Sequence, residues 1–167
     1  VGGGPSLLTV MDRLKDWPGD IWAVNDTARF LEGHGFKNVF FYSVDHQENL
    51  VDSYSDDLKR AVFAAHCDPV PYKAMQGRPV YRVDAFDAPG PTSAVAATTC
   101  GLRAGYDSVT FFACESSYGA DATHAYRNDR IPDLMKVRCG TLEFLTKAEL
   151  LAQAQQLAAV ILNFPKF

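Results

Sequence analysis

Apolar runs alternate with segments of helical spacing along most of this chain. Residues 38–45 (NVFFYSVD) form a nearly continuous run of β-branched and aromatic side chains, which predicts a strand buried on both faces, as in a parallel sheet. Two further buried strands are predicted at residues 20–25 (DIWAVN) and 108–116 (SVTFFACES). Helices are predicted at residues 7–16, 27–35, 47–65 and 92–106.

The remaining segments are less regular. Five prolines between residues 66 and 91 predict a surface excursion with one short strand, PVYRVDAF (79–86), and residues 119–133 read as a loop. Residues 134–139 and 141–146 predict a hairpin around Gly140, and a capping box of Thr146 and Glu149 predicts a final helix.

This order of elements predicts a single α/β domain over residues 1–167. We expect a Rossmann-like three-layer sandwich with a mainly parallel central sheet, followed by a C-terminal hairpin and helix. A chain of 18.4 kDa is large enough to bury one core without disulfides or metals.

Charge and composition narrow the class of partner. The net charge of −4 shows no basic footprint, so nucleic-acid binding is disfavoured. No apolar run approaches the roughly 20 residues of a membrane span, and no signal-peptide pattern precedes the glycines. The four cysteines lie far apart and are expected to be reduced thiols. We therefore expect a cytoplasmic protein that handles a small molecule and does not bind membranes.

The chain opens with VGGGPS, at the end of a first predicted strand whose last residue would be Val1. We expect residues before Val1 to complete this strand, or the strand to be very short. Gly2, Gly3 and Gly4 would let backbone N–H groups approach an anion at the start of the following helix. Ser6 would either cap that helix or face a phosphate. The alternative is a plain turn, and the stretch is neither a Walker A loop nor G-x-G-x-x-G.

Polar side chains follow the other predicted strands at the same edge of the sheet, where ligands of open α/β sheets bind. Asn25 and Asp26 follow IWAV, and either a ligand role or a helix cap is open to them; the same holds for Asp45 after FFYSV. Glu115 and Ser116 follow FFAC. A carboxylate at Glu115 would hold a magnesium ion or bind a hydroxyl or base N–H, unless it is a plain loop residue.

One histidine lies on the loop after the predicted strand at residues 108–116. His124, in THAYR, would reach the crevice as a general base or a phosphate ligand. The alternative is an exposed loop histidine. Together, His124 and Glu115 are the candidate catalytic residues.

The order of these motifs resembles the MptE-like family of Rossmann-type proteins, which includes 6-hydroxymethylpterin diphosphokinases and related motility-associated and sialyltransferase-like proteins. The resemblance rests on GGGPSL, WAVNDTARFLEGHGFKNVFFYSVD, GPTSAVAATTCGLRAGYDSVTFFACESSYGADATHAY and VRCGTLEFLTKAELLAQAQQLAAVI. It implies that Gly3, Gly4 and Ser6 bind phosphate and that Asn25 contacts a nucleotide or sugar. Glu115 would replace the aspartate that the family often carries at the last strand end.

The resemblance implies transfer from a nucleotide donor, with magnesium where a diphosphate is handled. The leading hypothesis is therefore a small transferase of phosphoryl or diphosphoryl groups. Two alternatives stay open at this point. One is a glycosyltransferase that uses a nucleotide sugar, and the other is a non-catalytic protein that binds a nucleotide or phosphorylated metabolite.

Overall fold

The computed structural model describes residues 1–84, 92–119, 123–126 and 133–163. Its helices are α1 (Leu7–Lys15), α2 (Thr27–Gly33), α3 (Pro69–Ala74), α4 (Ser93–Arg103) and α5 (Ala148–Asn163), with a short 3₁₀ helix at Glu48–Ser53. Its strands are β1 (Ile21–Val24), β2 (Val39–Ser43), β3 (Arg60–Ala64), β4 (Val80–Val83), β5 (Met135–Cys139) and β6 (Leu142–Thr146).

Strands β1 to β4 form an all-parallel sheet in which each strand pairs with the next one along the chain. Every residue of β2 is buried, which confirms the prediction from its unbroken apolar run. The structure therefore confirms the prediction of an α/β fold with a parallel sheet. All four strands end at one edge of the sheet, called the carboxyl edge below.

Helices flank the sheet and bury its alternate side chains in two clusters. Phe41 and Phe63 pack in one cluster with α1 and α2, whereas Tyr42 and Val62 pack in another with Ala96 of α4. Residues two apart on a strand share a face, so the clusters follow from the sequence of β2 and β3. α5 then packs against α4.

Two extended segments continue the pattern of the sheet beyond β1. The Val1 backbone nitrogen donates to the Trp22 carbonyl (2.6 Å), and the Val24 N–H donates to the Val1 carbonyl (3.1 Å), which is the bonding of a parallel neighbour. On the far side of residues 1–4, the Gly2 N–H donates to the Phe112 carbonyl (2.9 Å). Strand order therefore reverses between residues 1–4 and residues 112–113, and ligands of open α/β sheets bind at such switch points.

Three predictions along the chain are corrected by the structure. Residues 47–65 are not one helix: a 3₁₀ helix is followed by β3, because the run AVFA is buried on both faces of the sheet and this tertiary burial outweighs the helical spacing. In the proline-rich region the short strand predicted at residues 79–86 is confirmed as β4 (Val80–Val83), but the region is no mere surface excursion, because it also contains α3 and its strand pairs with β3 in the sheet. Residues 108–116 form no regular strand, since Ala113 has φ +53° and the neighbouring residues 2–4 turn away into α1.

The C-terminal hairpin and helix are confirmed, with Gly140 in the left-handed conformation (φ +61°) between β5 and β6. The capping box is wrong. Thr146 ends β6 and α5 begins only at Ala148, so Thr146 is not the residue directly before the helix; its hydroxyl donates to the Ser116 carbonyl (2.9 Å). Most of the predicted loop at 119–133 lies outside the described residues.

Candidate functional site

The glycine turn (residues 2–6) joins the sheet to α1 at the switch point. Besides the bond from Gly2, the Gly4 N–H donates to the Ala113 carbonyl (3.0 Å). A methyl group at Gly2 would lie 3.0 Å from the Cys114 sulfur and 3.2 Å from the Ala113 carbonyl carbon. The lack of side chains thus lets two backbone segments approach closely, which explains Gly2 without any ligand. Ser6 precedes α1, and its hydroxyl makes no capping hydrogen bond.

The Glu115 carboxylate lies directly over the glycine turn. Its Oε1 accepts the Ser6 N–H at 2.7 Å, across 109 positions of sequence. A β-carbon at Gly4 would lie 2.5 Å from the Glu115 Cδ and 2.7 Å from Oε1, so only glycine leaves room for the carboxylate. A helix N-terminus presents free N–H groups and partial positive charge, which stabilise an anionic oxygen. In this protein the anionic oxygen at the N-terminus of α1 is Oε1 of Glu115.

The second oxygen of this carboxylate differs from the first. Oε2 is buried and accepts no hydrogen bond from the described residues. A buried carboxylate oxygen without a donor is energetically costly, and a cation or a moving donor would relieve the cost. Oε2 is therefore a carboxylate oxygen beside the glycine turn whose hydrogen-bonding capacity is unused among the described residues.

A short segment, residues 123–126, covers the other side of the glycine turn. The Ala125 N–H donates to the Gly3 carbonyl (3.1 Å), and the Tyr126 hydroxyl lies 3.3 Å from the Thr27 hydroxyl. A β-carbon at Gly3 would lie 2.9 Å from the Tyr126 ring carbon Cζ. The His124 ring stacks on Tyr126 with 5.6 Å between centroids. The structure thus brings the segments of both candidate catalytic residues, Glu115 and His124, to one turn.

Asn25 follows β1 at the same carboxyl edge, with φ +50°. Its Oδ1 accepts hydrogen bonds from the Ser43 hydroxyl (2.8 Å) and the Ser93 hydroxyl (3.2 Å). Sequence reasoning missed both serines. The signal for them was weak: one hydroxyl closes the strand VFFYS, and the other opens the helix after GPT.

The other predicted site residues have different surroundings. The Asp26 carboxylate accepts from the Ser53 hydroxyl and does not cap α2. The Asp45 carboxylate lies 3.9 Å from Nδ1 of the exposed His46. The Ser116 hydroxyl accepts from the Gln153 side-chain amide (2.8 Å), so Ser116 binds the C-terminal helix.

The charge state of the turn follows from burial. Desolvation raises the pKa of the Cys114 thiol, and a hydrogen bond with the Gly2 backbone opposes the rise. Cys114 is thus a neutral thiol near pH 7 and a poor nucleophile. Among the described residues, no group of three or more His, Cys, Asp and Glu side chains is arranged to hold a metal.

A cavity of about 310 Å³ lies between β1, α4 and residues 107–112. Apolar and aromatic side chains dominate its lining, including Trp17, Trp22 and Phe112. Neither Gly4 nor Glu115 lines it, so the contact between the glycine turn and Glu115 lies outside this cavity.

Comparisons with protein-family models, with curated proteins and with solved structures give no match to this chain. Across the described ranges, each helix is too short or too polar to cross a lipid bilayer.

Proposed function

We propose that this protein binds a phosphorylated small molecule, with a nucleotide or nucleotide-linked donor as the first candidate. The ligand would lie at the carboxyl edge of a three-layer Rossmann-like sandwich whose central sheet runs on through residues 1–4. One observation carries the proposal: the Glu115 carboxylate sits on the N-terminus of α1, at the switch point of the sheet. Because Oε1 of Glu115 is stabilised at this position, the position is also suited to a ligand anion.

The resident carboxylate limits how a phosphate can bind. Two anions at one helix N-terminus repel each other, so a phosphate must either displace Glu115 or share a cation with it. The buried and unpartnered Oε2 favours sharing. Magnesium typically binds one or two protein carboxylates together with ligand phosphates and neutralises their charge. Glu115 would hold it through Oε2 while Oε1 keeps its bond to Ser6.

We further propose diphosphoryl transfer as the reaction, in line with the resemblance to MptE-like proteins. The glycine turn would position the phosphates of a nucleoside triphosphate donor. The acceptor hydroxyl oxygen would attack the β-phosphorus, the bond from that phosphorus to the α,β-bridging oxygen would break, and the nucleoside monophosphate would leave. His124, whose segment contacts the same turn, would accept the proton of the acceptor hydroxyl. Non-catalytic binding is the second candidate. It is favoured because the described residues include no group of three or more His, Cys, Asp and Glu side chains that could hold a metal ion.

A thermal-shift screen tests the proposal with nucleoside mono-, di- and triphosphates and sugar nucleotides, each with and without Mg²⁺. We expect stabilisation by at least one di- or triphosphate, larger with Mg²⁺. The free energy of unfolding rises with ligand concentration, and the gain is about 2.7 kcal/mol when free ligand is present at one hundred times Kd. If no phosphorylated compound raises the melting temperature at millimolar concentration, the proposal is wrong.

The variant Glu115→Gln separates the two binding modes, because glutamine keeps an oxygen for the Ser6 N–H and loses the charge. If the carboxylate shares a cation with the ligand, Mg²⁺-dependent binding should weaken about tenfold or more. If the carboxylate is displaced instead, Mg²⁺-free binding should strengthen, since a like charge has been removed. Titration calorimetry with ADP, with and without Mg²⁺, measures both.

A further inference from the structure

The apolar cavity between β1 and α4 is large enough for a small aromatic molecule. Its volume of about 310 Å³ is roughly twice that of a dry, apolar protein cavity of about 150 Å³, which takes benzene. A body of two fused rings therefore fits it. Five aromatic side chains line the cavity and offer faces and edges to such rings: Trp17, Trp22, Tyr106, Phe111 and Phe112.

The wall that α4 contributes leaves the space open. Ala94, Ala97 and Gly101 line the cavity at spacings of three and four residues, which places them on one face of the helix. On the opposite wall, Nε1 of Trp22 donates to the Tyr106 hydroxyl (3.3 Å), and this bond holds the indole in place. The cavity therefore has one wall of small side chains and one wall of a fixed ring.

The cavity adjoins a wider pocket at the amino edge of the sheet, which is the edge opposite the carboxyl edge. Asp20 precedes β1, Asn38 precedes β2 and Arg60 begins β3, and all three line this amino-edge pocket of about 730 Å³. A molecule in the cavity can extend into the amino-edge pocket, because the two share five lining residues: Trp17, Gly19, Asp20, Ile21 and Tyr106.

The amino-edge pocket carries a local excess of positive charge. Among the described residues of its lining, Lys15, Lys37 and Arg60 are positively charged and Asp20 is negatively charged. Asp107 adds a second carboxylate on the side of the apolar cavity. Three cations thus face two carboxylates, in a chain whose net charge is −4.

Lys37 and Arg60 are the cations that a ligand would meet. Neither side chain forms an ion pair or a hydrogen bond with another described residue, and the Arg60 guanidinium lies 3.8 Å from the centroid of the Phe40 ring. The Asp20 carboxylate, by contrast, already accepts a hydrogen bond from the Tyr106 hydroxyl. An anionic group is therefore favoured over a cationic group in this pocket.

We propose that the cavity and the amino-edge pocket form one binding site for an aromatic carboxylate with two fused rings. The rings occupy the cavity, and the carboxylate extends into the amino-edge pocket toward Lys37 and Arg60. This site lies apart from the contact between the glycine turn and Glu115 and does not depend on the proposed function.

Three ligands of nearly the same shape test the charge of the head group by titration calorimetry. 2-Naphthoate, 2-naphthalenemethanol and 2-naphthylmethylammonium carry the same rings with a negative, a neutral and a positive group. We expect affinity to fall in that order, by about threefold or more at the first step, and this gap to shrink with added salt. Equal affinities, tightest binding of the cation, or no binding of 2-naphthoate would overturn the inference. Tighter binding of octanoate than of 2-naphthoate would overturn the aromatic class.

The position of the ligand is read from the tryptophan side chains. The chain has two tryptophans and both line the cavity, so the two indole N–H signals of the ¹⁵N-labelled protein report its occupancy. We expect 2-naphthoate to shift both signals, which Trp17→Phe and Trp22→Phe assign. Binding that leaves both indole signals unmoved would place the ligand outside the cavity and overturn the inference.

Filling the cavity tests the same point through affinity. Ala97→Leu should lower the affinity for 2-naphthoate at least tenfold without lowering the melting temperature, because leucine takes up cavity space. Ala159→Leu, at an exposed position of α5, is the matched control and should leave the affinity unchanged. Gly101→Ala is a smaller filling change, since its methyl would lie 3.9 Å from the Tyr106 ring, and it should weaken binding in the same direction. Wild-type affinity in a folded Ala97→Leu or Gly101→Ala variant would overturn the inference.

A charge variant tests the amino-edge pocket alone. Lys37→Gln should lower the affinity for 2-naphthoate about threefold and leave that for 2-naphthalenemethanol unchanged. Lys73→Gln, on exposed α3 sequence outside the pocket, is the matched control and should change neither affinity. An equal loss for the acid and the alcohol in Lys37→Gln would show that Lys37 does not meet the carboxylate and would overturn the assignment of the head group.

Discussion

The contact between Gly4 and Glu115 gives the sharpest test of the site, through the substitution Gly4→Ala. The added methyl would lie 2.5 Å from the Glu115 Cδ, well inside van der Waals contact. The carboxylate must therefore swing away and give up its bond to the Ser6 N–H. The backbone itself is not strained by alanine, because Gly4 is not among the residues with positive φ.

The expected cost follows from that lost bond. A hydrogen bond to a charged group contributes about 1.5–3 kcal/mol to stability, and alanine recovers about 0.4–1 kcal/mol by restricting the unfolded chain. We expect Gly4→Ala to lower the free energy of unfolding by about 1–2 kcal/mol. Gly33→Ala is the matched control: no atom lies within 4 Å of its added methyl, so in α2 it should stabilise by about 0.5–1 kcal/mol.

A double-mutant cycle measured by urea unfolding isolates the contact. In the Glu115→Ala background the methyl at Gly4 has room, so the penalty of Gly4→Ala should vanish, with a coupling energy of about 2 kcal/mol. The midpoint should move at constant slope m in all four proteins. A penalty that persists in the Glu115→Ala background would show that the carboxylate does not lie over Gly4.

Three further results are expected. Gly3→Ala should destabilise the protein in thermal unfolding by about 1–2 kcal/mol, because its methyl displaces the Tyr126 ring, and should cost nothing in a Tyr126→Ala background. Desolvation raises the pKa of Cys67 to about 11, so its alkylation by iodoacetamide at pH 8 should be far slower than that of the exposed Cys139 and should rise steeply toward pH 10; equal rates at pH 8 would contradict this. His124→Ala should lower turnover about 10²-fold with donor affinity within a few fold, whereas equal losses in both would make His124 a residue that orients the ligand.

Much of the layered architecture could be predicted from local pattern. An apolar run such as VFFYS in β2 is stable only with both faces covered, and this requirement identifies a parallel sheet before any contact is known. Because parallel strands have their carboxyl ends at one edge of the sheet, the glycine turn and Glu115 could also be predicted to lie at the same edge. Residues 47–65 show its limit, since AVFA in β3 is short enough to fit helical spacing and only burial decides between the two.

The side chains that complete the site could not be predicted in this way. Glu115 reaches the Ser6 N–H across 109 positions, and no local pattern reports such a contact. Ser43 and Ser93 both donate to Asn25 only because the fold places Asn25 between a strand end and a helix start that are 50 positions apart. Sequence order indicates which strand ends meet, whereas the partners of each polar atom are set by tertiary packing.

The hydrogen bonds of Ser116 link the glycine turn to the C-terminal hairpin and helix. Ser116 directly follows Glu115, its carbonyl accepts from Thr146 in β6, and its hydroxyl accepts from Gln153 in α5. A ligand that moves the Glu115 backbone would also strain the two hydrogen bonds that Ser116 accepts. Occupancy at one end of the sheet would then alter how often the last helix opens, with no ligand contact there. Reciprocally, whatever binds or releases α5 would tune affinity at the glycine turn by the same factor.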